Sequence, residues 1–193
     1  MSNSAVDRKL ELEELAINLE YSFERGLDRH NRVIRLTGDV EEGFFDWFDT
    51  AVTLLETENS RKTIVLKINS YGGDVYEALA IIGRMKECKC RIHTKGYGKI
   101  MSAATAILAA GDKRSMSKLA EFMHHEMSYG VEGRHSEILH EVKNSQKLSE
   151  KWCNLMYELT GIPSSYWSNK GIGTDFYMSP EKCMQLNIVD EIF

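Results

Sequence analysis

A chain of 193 residues fits one domain with room for a sizeable core. Its 42% apolar residues, 14 glycines and only 2 prolines are ordinary globular values, which exclude disordered, collagen-like and low-complexity classes. With 24 basic against 29 acidic residues the net charge is −5, so no basic field exists for a phosphate backbone and nucleic acid is not an expected partner.

The longest apolar-or-small run, at 103–110, is far short of the roughly 18–20 residues that span a membrane, and residues 1–8 carry no apolar signal core. A cytoplasmic protein without a membrane partner is the expectation. Cys88, Cys90, Cys153 and Cys183 form no C-x-x-C and read as reduced thiols without a metal.

In chain order, Leu10, Leu12, Leu15, Ile17 and Leu19 among Glu11, Glu13, Glu14 and Glu20 mix both periods and are read as a helix. Arg32-Val33-Ile34-Arg35-Leu36-Thr37 predicts a strand closed by Gly38, and Phe44, Trp47, Phe48, Val52, Leu54 and Leu55 follow at helical spacing. The unit recurs at 63–68, a β-rich run ended by Asn69-Ser70-Tyr71-Gly72-Gly73 and followed by Val75, Leu79, Ile82 and Met85. It recurs again where Cys90-Arg91-Ile92-His93-Thr94 passes through Gly96-Tyr97-Gly98 to a helix over 102–110 stopped by Gly111.

Three strand–helix units predict an α/β fold whose parallel strands are wrapped by helices. Beyond them the pattern predicts two short strands within 115–127 and a long helix over 134–159. Ile138, Val142, Leu148, Trp152, Leu155 and Leu159 line one side of that helix, and Gly161-Ile162-Pro163 stops it. Ser179-Pro180-Glu181 reads as a helix start with Ser as N-cap. No linker or repeat appears, so 1–193 is read as one domain.

Four features can carry chemistry. Gly72-Gly73 ends a strand before a helix, where open amides can meet a ligand or an oxyanion; the plainer reading is a structural turn, and neither nucleotide-loop pattern is present. Ser102 opens an alanine-rich helix, where its hydroxyl is either an N-cap or a group facing the positive end of the helix dipole. His124 and His125 follow Phe122-Met123, and strand alternation sends their rings to opposite faces, so only one can serve a given site. Asp175 lies between Gly171-Ile172-Gly173-Thr174 and Phe176-Tyr177-Met178 and by itself reads as a turn carboxylate. His140-Glu141 fails the H-E-x-x-H pattern because position 144 is Asn144; no metal and no cofactor is expected.

Taken together, a serine at a helix start, a strand histidine and a loop aspartate suggest one site. Over 32–193 the chain resembles the proteolytic subunit of the Clp protease, a serine peptidase family. The resemblance rests on Arg32-Val33-Ile34-Arg35-Leu36-Thr37-Gly38, Ile68-Asn69-Ser70-Tyr71-Gly72-Gly73, the helix at 102–111, Glu121-Phe122-Met123-His124-His125, the long helix, and 175–192. It implies Ser102 as nucleophile, His125 as base and Asp175 as its orienting acid, with the backbone N–H groups of Gly73 and Ala103 as the oxyanion hole. It further implies that Gly72 and the segment of Ser128, Tyr129 and Gly130 bind substrate backbone.

The implied architecture is the crotonase-like fold, with 134–160 as a handle between stacked seven-membered rings of a homo-oligomer. Unfolded polypeptides would be cleaved inside the chamber, in ATP-dependent proteolysis with an AAA+ unfoldase. The chain departs from the family pattern at Tyr71, Ile100, Met101 and Glu126-Met127 around the site, and at Thr174, where the family carries a ring-bridging arginine that pairs with acids such as Glu137. Val65, Lys67 and Glu87 stand where the family has an aromatic docking pocket; burying an apolar loop there would desolvate both charges, and their mutual pairing is the escape from that cost. Two alternatives share the fold: a non-catalytic ring subunit, against which the intact triad argues, and a crotonase-like acyl-coenzyme A enzyme, which leaves Ser102 and His125 unexplained.

Overall fold

A computed structural model describes residues 8, 9, 11–13, 15–17 and 26–193. Alternation along Ile64-Val65-Leu66-Lys67-Ile68 buries every second side chain, and the resulting β3 (Ile64–Gly73) lies between β2 (Val33–Val40) and β4 (Ile92–Met101) in parallel register. Ile64, Leu66 and Ile68 are fully buried, whereas Val65 and Lys67 on the opposite face are half-buried. Helices α1 (Phe44–Glu58), α2 (Val75–Glu87) and α3 (Ala103–Ala109) cover the buried face; Phe48, Val52, Leu55, Ile81 and Ile107 complete its core. An antiparallel edge, β1 (Leu27–Asp28), joins β2, while β5 (Lys113–Met116) and β8 (Glu191–Ile192) continue the parallel run beyond β4. The α/β architecture of parallel strands wrapped by helices is therefore as expected.

On the edge away from β3, β4 serves two partners in turn. Residues 93–96 of β4 pair with β5, and residues 99–101 pair with β6 (Glu121–His124), which in turn pairs antiparallel with β7 (Phe176–Met178). Gly96-Tyr97-Gly98, expected as a connection, is inside the strand, with Gly98 at φ 55 where the partner changes. β2 likewise runs through Gly38 to Val40 across a register shift, and β3 runs on to Gly73. Gly96 pairs with Ile68 on one side and Met116 on the other, and Gly72 and Gly73 pair with Asp39 and Val40, which offsets the weak strand preference of glycine.

The expected long helix is α4 (His135–Thr160), ended by Gly161 at φ 75. Its apolar side divides, because Trp152 and Leu155 are buried while Ile138, Val142 and Leu148 are half-buried. Two short helices follow, α5 (Ser164–Lys170), which was not expected, and α6 (Pro180–Gln185), whose N-cap Ser179 accepts from Lys182 N at 3.3 Å. Of the expected N-terminal helix, the described residues are helical and Leu12, Leu15 and Ile17 are exposed; Leu10, Glu14, Leu19 and Glu20 lie outside the described residues.

Arg114 of β5 locks the C-terminal segment in place. Its guanidinium donates to the carbonyls of Leu159 (3.2 Å) and Asn187 (3.0 Å) and to Asp190 Oδ1 (2.5 Å). The Arg114 hydrogen bond holds the Asp190 carboxyl below its ordinary range, against partial burial acting the other way. For a lowered carboxylate, the stability gained is present above the unfolded value of about 3.9 and is lost as pH falls through the folded value. Asp190→Asn is therefore expected to lower the denaturant midpoint at about pH 6, with a deficit that shrinks at about pH 3. An equal deficit at both would show that the charge is not what Asp190 contributes.

Candidate active site

Ser102 joins β4 to α3 at φ 51 and ψ −123, a left-handed backbone that costs a residue with a Cβ about 1–3 kcal/mol. Its side chain makes no capping bond, so the N-cap reading of this serine does not hold. The main-chain groups of Ser102 secure the turn instead: its N donates to the Met123 carbonyl (2.9 Å), and its carbonyl accepts from Thr105 N (3.0 Å) and from the Thr105 hydroxyl Oγ1 (2.5 Å). Ala103, Ala104 and Ala106 are buried, and their small side chains let α3 press against β3 and β4.

Register delivers the partners. Met101 pairs with Met123, so the residue two places beyond Met123 comes alongside the turn, and His125 Nε2 stands 2.8 Å from Ser102 Oγ. On the other side β6 and β7 pair His124 with Phe176, and one further step sets His125 across from Asp175. His125 Nδ1 and Asp175 Oδ1 are 3.7 Å apart, too long for a direct hydrogen bond, and 51% of the Asp175 side chain is exposed.

His124 faces the core. Its Nε2 donates to the Trp167 carbonyl (2.9 Å), its ring meets the indole edge-on, and burial depresses its pKa, so it stays neutral near pH 7. The alternation of the two rings is thus present, with His125 on the serine.

Gly72 and Gly73, at φ 95 and 141, bring the end of β3 against the same turn. A Cβ on Gly72 would stand 2.6 Å from the Met101 carbonyl oxygen and 2.7 Å from Ala103 N, and one on Gly73 would run into the Val40 carbonyl. The close approach sets the amide-bearing backbone of β3 beside Ser102 and the first amide of α3, which has no partner within its own helix. Ser128, Tyr129 and Gly130 are exposed on a segment without regular structure. Among the described residues no group of three or more His, Cys, Asp or Glu is placed to hold a metal.

Lys67 and Glu137 find partners within the subunit. Lys67 does not pair with Glu87; its Nζ lies 5.9 Å from the Tyr97 ring centre, and Tyr97 meets Phe193 edge-on at 5.2 Å. Glu137 closes the N-terminus of its own helix, accepting from Arg134 N at 2.8 Å. The Tyr97–Phe193 contact had no sequence signal, because it joins a strand that was read as a turn to the chain end.

Gly72→Ala combines an unfavourable φ, about 1–2 kcal/mol, with overpacking against the Ser102 turn of about 1–3 kcal/mol. The melting temperature is expected to fall by roughly 5–15 °C. Gly130→Ala, whose Cβ meets nothing within 4 Å, should leave it unchanged; equal melting of the two variants would contradict the close approach.

A family model described as Clp protease matches residues 23–193. The ATP-dependent Clp protease proteolytic subunit of Deinococcus radiodurans is 27% identical over 164 residues, which cover 84% of this chain and 80% of that protein. Since the family match takes in every strand of the sheet together with Ser102, His125 and Asp175, the chain belongs to the Clp protease family.

Proposed function

We propose that the chain is a serine endopeptidase subunit that hydrolyses peptide bonds of unfolded polypeptides through Ser102, His125 and Asp175. The observation that carries this reading is the 2.8 Å approach of His125 Nε2 to Ser102 Oγ across a strained turn. In the mechanism His125 takes the Ser102 proton as Oγ attacks the carbonyl, then returns it to the leaving amine; water releases the acyl group by the same route. The N–H groups of Gly73 and Ala103 hold the oxyanion, and Gly72 with Ser128, Tyr129 and Gly130 align the substrate backbone. Asp175 holds the imidazole tautomer and stabilises the imidazolium, its 3.7 Å separation closing once substrate is bound. An acyl-coenzyme A enzyme has no use for the Ser102–His125 contact.

Subunits of this family form rings, and half-buried Ile138, Val142 and Leu148 on α4 suit a contact between copies in a seven-membered ring or a pair of rings. With Lys67 and Glu87 on the face where the family docks its ATP-driven unfoldase, a generic unfoldase is expected to bind weakly: burying either charge beside an apolar loop is costly.

Ser102→Ala should reduce hydrolysis of small fluorogenic peptides by at least about 1,000-fold, with the sedimenting mass unchanged. His125→Ala should fall comparably, while His124→Ala loses stability but keeps kcat within about threefold where it is folded. Hydrolysis by Ser102→Ala at the parent rate would overturn the proposal.

A further inference from the structure

We propose that Glu126 is a positioning residue that sets the distance between His125 and Asp175; the inference rests on the catalytic reading of those two residues. The antiparallel ladder of β6 and β7 ends at the pair of His124 with Phe176. One step further the ladder no longer holds the two chains, yet this is where His125 faces Asp175 at 3.7 Å. Glu126 supplies the missing grip. Its backbone N donates to the Gly171 carbonyl (3.2 Å), and its side-chain Oε1 accepts from Gly173 N (3.0 Å), two residues before the aspartate. The His125–Asp175 pair is thereby bracketed, with the strand ladder on one side and the Glu126 bonds on the other.

The loop is shaped for that grip. A Cβ on Gly171 would stand 2.6 Å from Glu126 N and 2.8 Å from the His125 carbonyl carbon, so only glycine lets the chains come this close. Gly173 turns at φ 64, which presents its N–H to the carboxylate. The side chain of Glu126 is exposed, and among the described residues it makes no ion pair, so the bond to Gly173 is what orders it. A carboxylate accepting from an amide is stronger than a neutral acceptor, but a carboxamide oxygen fits the same place. At 3.7 Å, a shift of the loop by less than an ångström decides whether Asp175 reaches the imidazole.

The test compares Glu126→Ala with Glu126→Gln by two readouts. Crystal structures of the parent and both variants read the His125 Nδ1 to Asp175 separation whether or not peptide is turned over. The separation should widen, with the loop at 171–175 displaced, in Glu126→Ala alone. With a fluorogenic peptide, Glu126→Ala should lose about tenfold in kcat with KM within about twofold, and Glu126→Gln should keep both near the parent. An unmoved loop in Glu126→Ala, or the same displacement in Glu126→Gln, would overturn the proposal. A parent whose hydrolysis does not depend on Ser102 would instead overturn the catalytic reading, and the structures would still decide what Glu126 holds.

Discussion

The hydrogen bond from Ser102 N to the Met123 carbonyl is the constraint on which the site depends. β4 has β3 along one edge and first β5, then β6, along the other, and beyond Gly98 that second edge belongs to β6. That pairing brings the chain to Ser102 with its next amide committed to β6, so the turn into α3 must be made within one residue, at φ 51. A strain of about 1–3 kcal/mol is offset there by two main-chain bonds and one from the Thr105 hydroxyl, worth about 0.5–1.5 kcal/mol each, and by the complete burial of α3. The outcome is a hydroxyl pointed away from its own helix and toward the neighbouring strand.

From that bond the rest follows by register. The same β6 that receives the Ser102 amide carries two adjacent histidines, and alternation assigns them opposite environments. His124 is 3% exposed and neutral against Trp167, whereas His125 keeps 28% of its side chain open and reaches the serine. The two glycines ending β3 serve the approach from the other side, since any Cβ at Gly72 would displace the backbone around Ala103. One histidine supports the wall of the site and its neighbour faces into it.

Much of this was legible in the residues. Alternation at 64–68 and helical spacing at 75–85 identified elements whose cores lie where expected, and order along the chain suggested one site of a serine, a strand histidine and a loop aspartate, for which the family resemblance chose His125. Glycines misled: Gly38 and Gly96-Tyr97-Gly98 read as strand ends, because local propensity cannot register the neighbouring strands that carry the pairing past them, as β3 and β5 do on either side of Gly96. β7, three residues long, exists only through its pairing with β6, and its sequence shows too short a run to announce it. The approach of Lys67 to Tyr97 was hidden for a related reason, since Tyr97 lies inside a stretch taken for a turn.

Among the described residues one hydroxyl differs from every other: Ser102 alone combines a strained turn, a histidine nitrogen at 2.8 Å and an open amide beside it. On the proposed reading that difference is one of nucleophilicity, and it can be read without knowing any natural substrate. Treating the protein with a fluorophosphonate and mapping the adduct by peptide mass spectrometry measures it directly. The account predicts a single modified residue, Ser102, with labelling lost in His125→Ala. An unmodified Ser102, or an adduct spread over other serines, would contradict it.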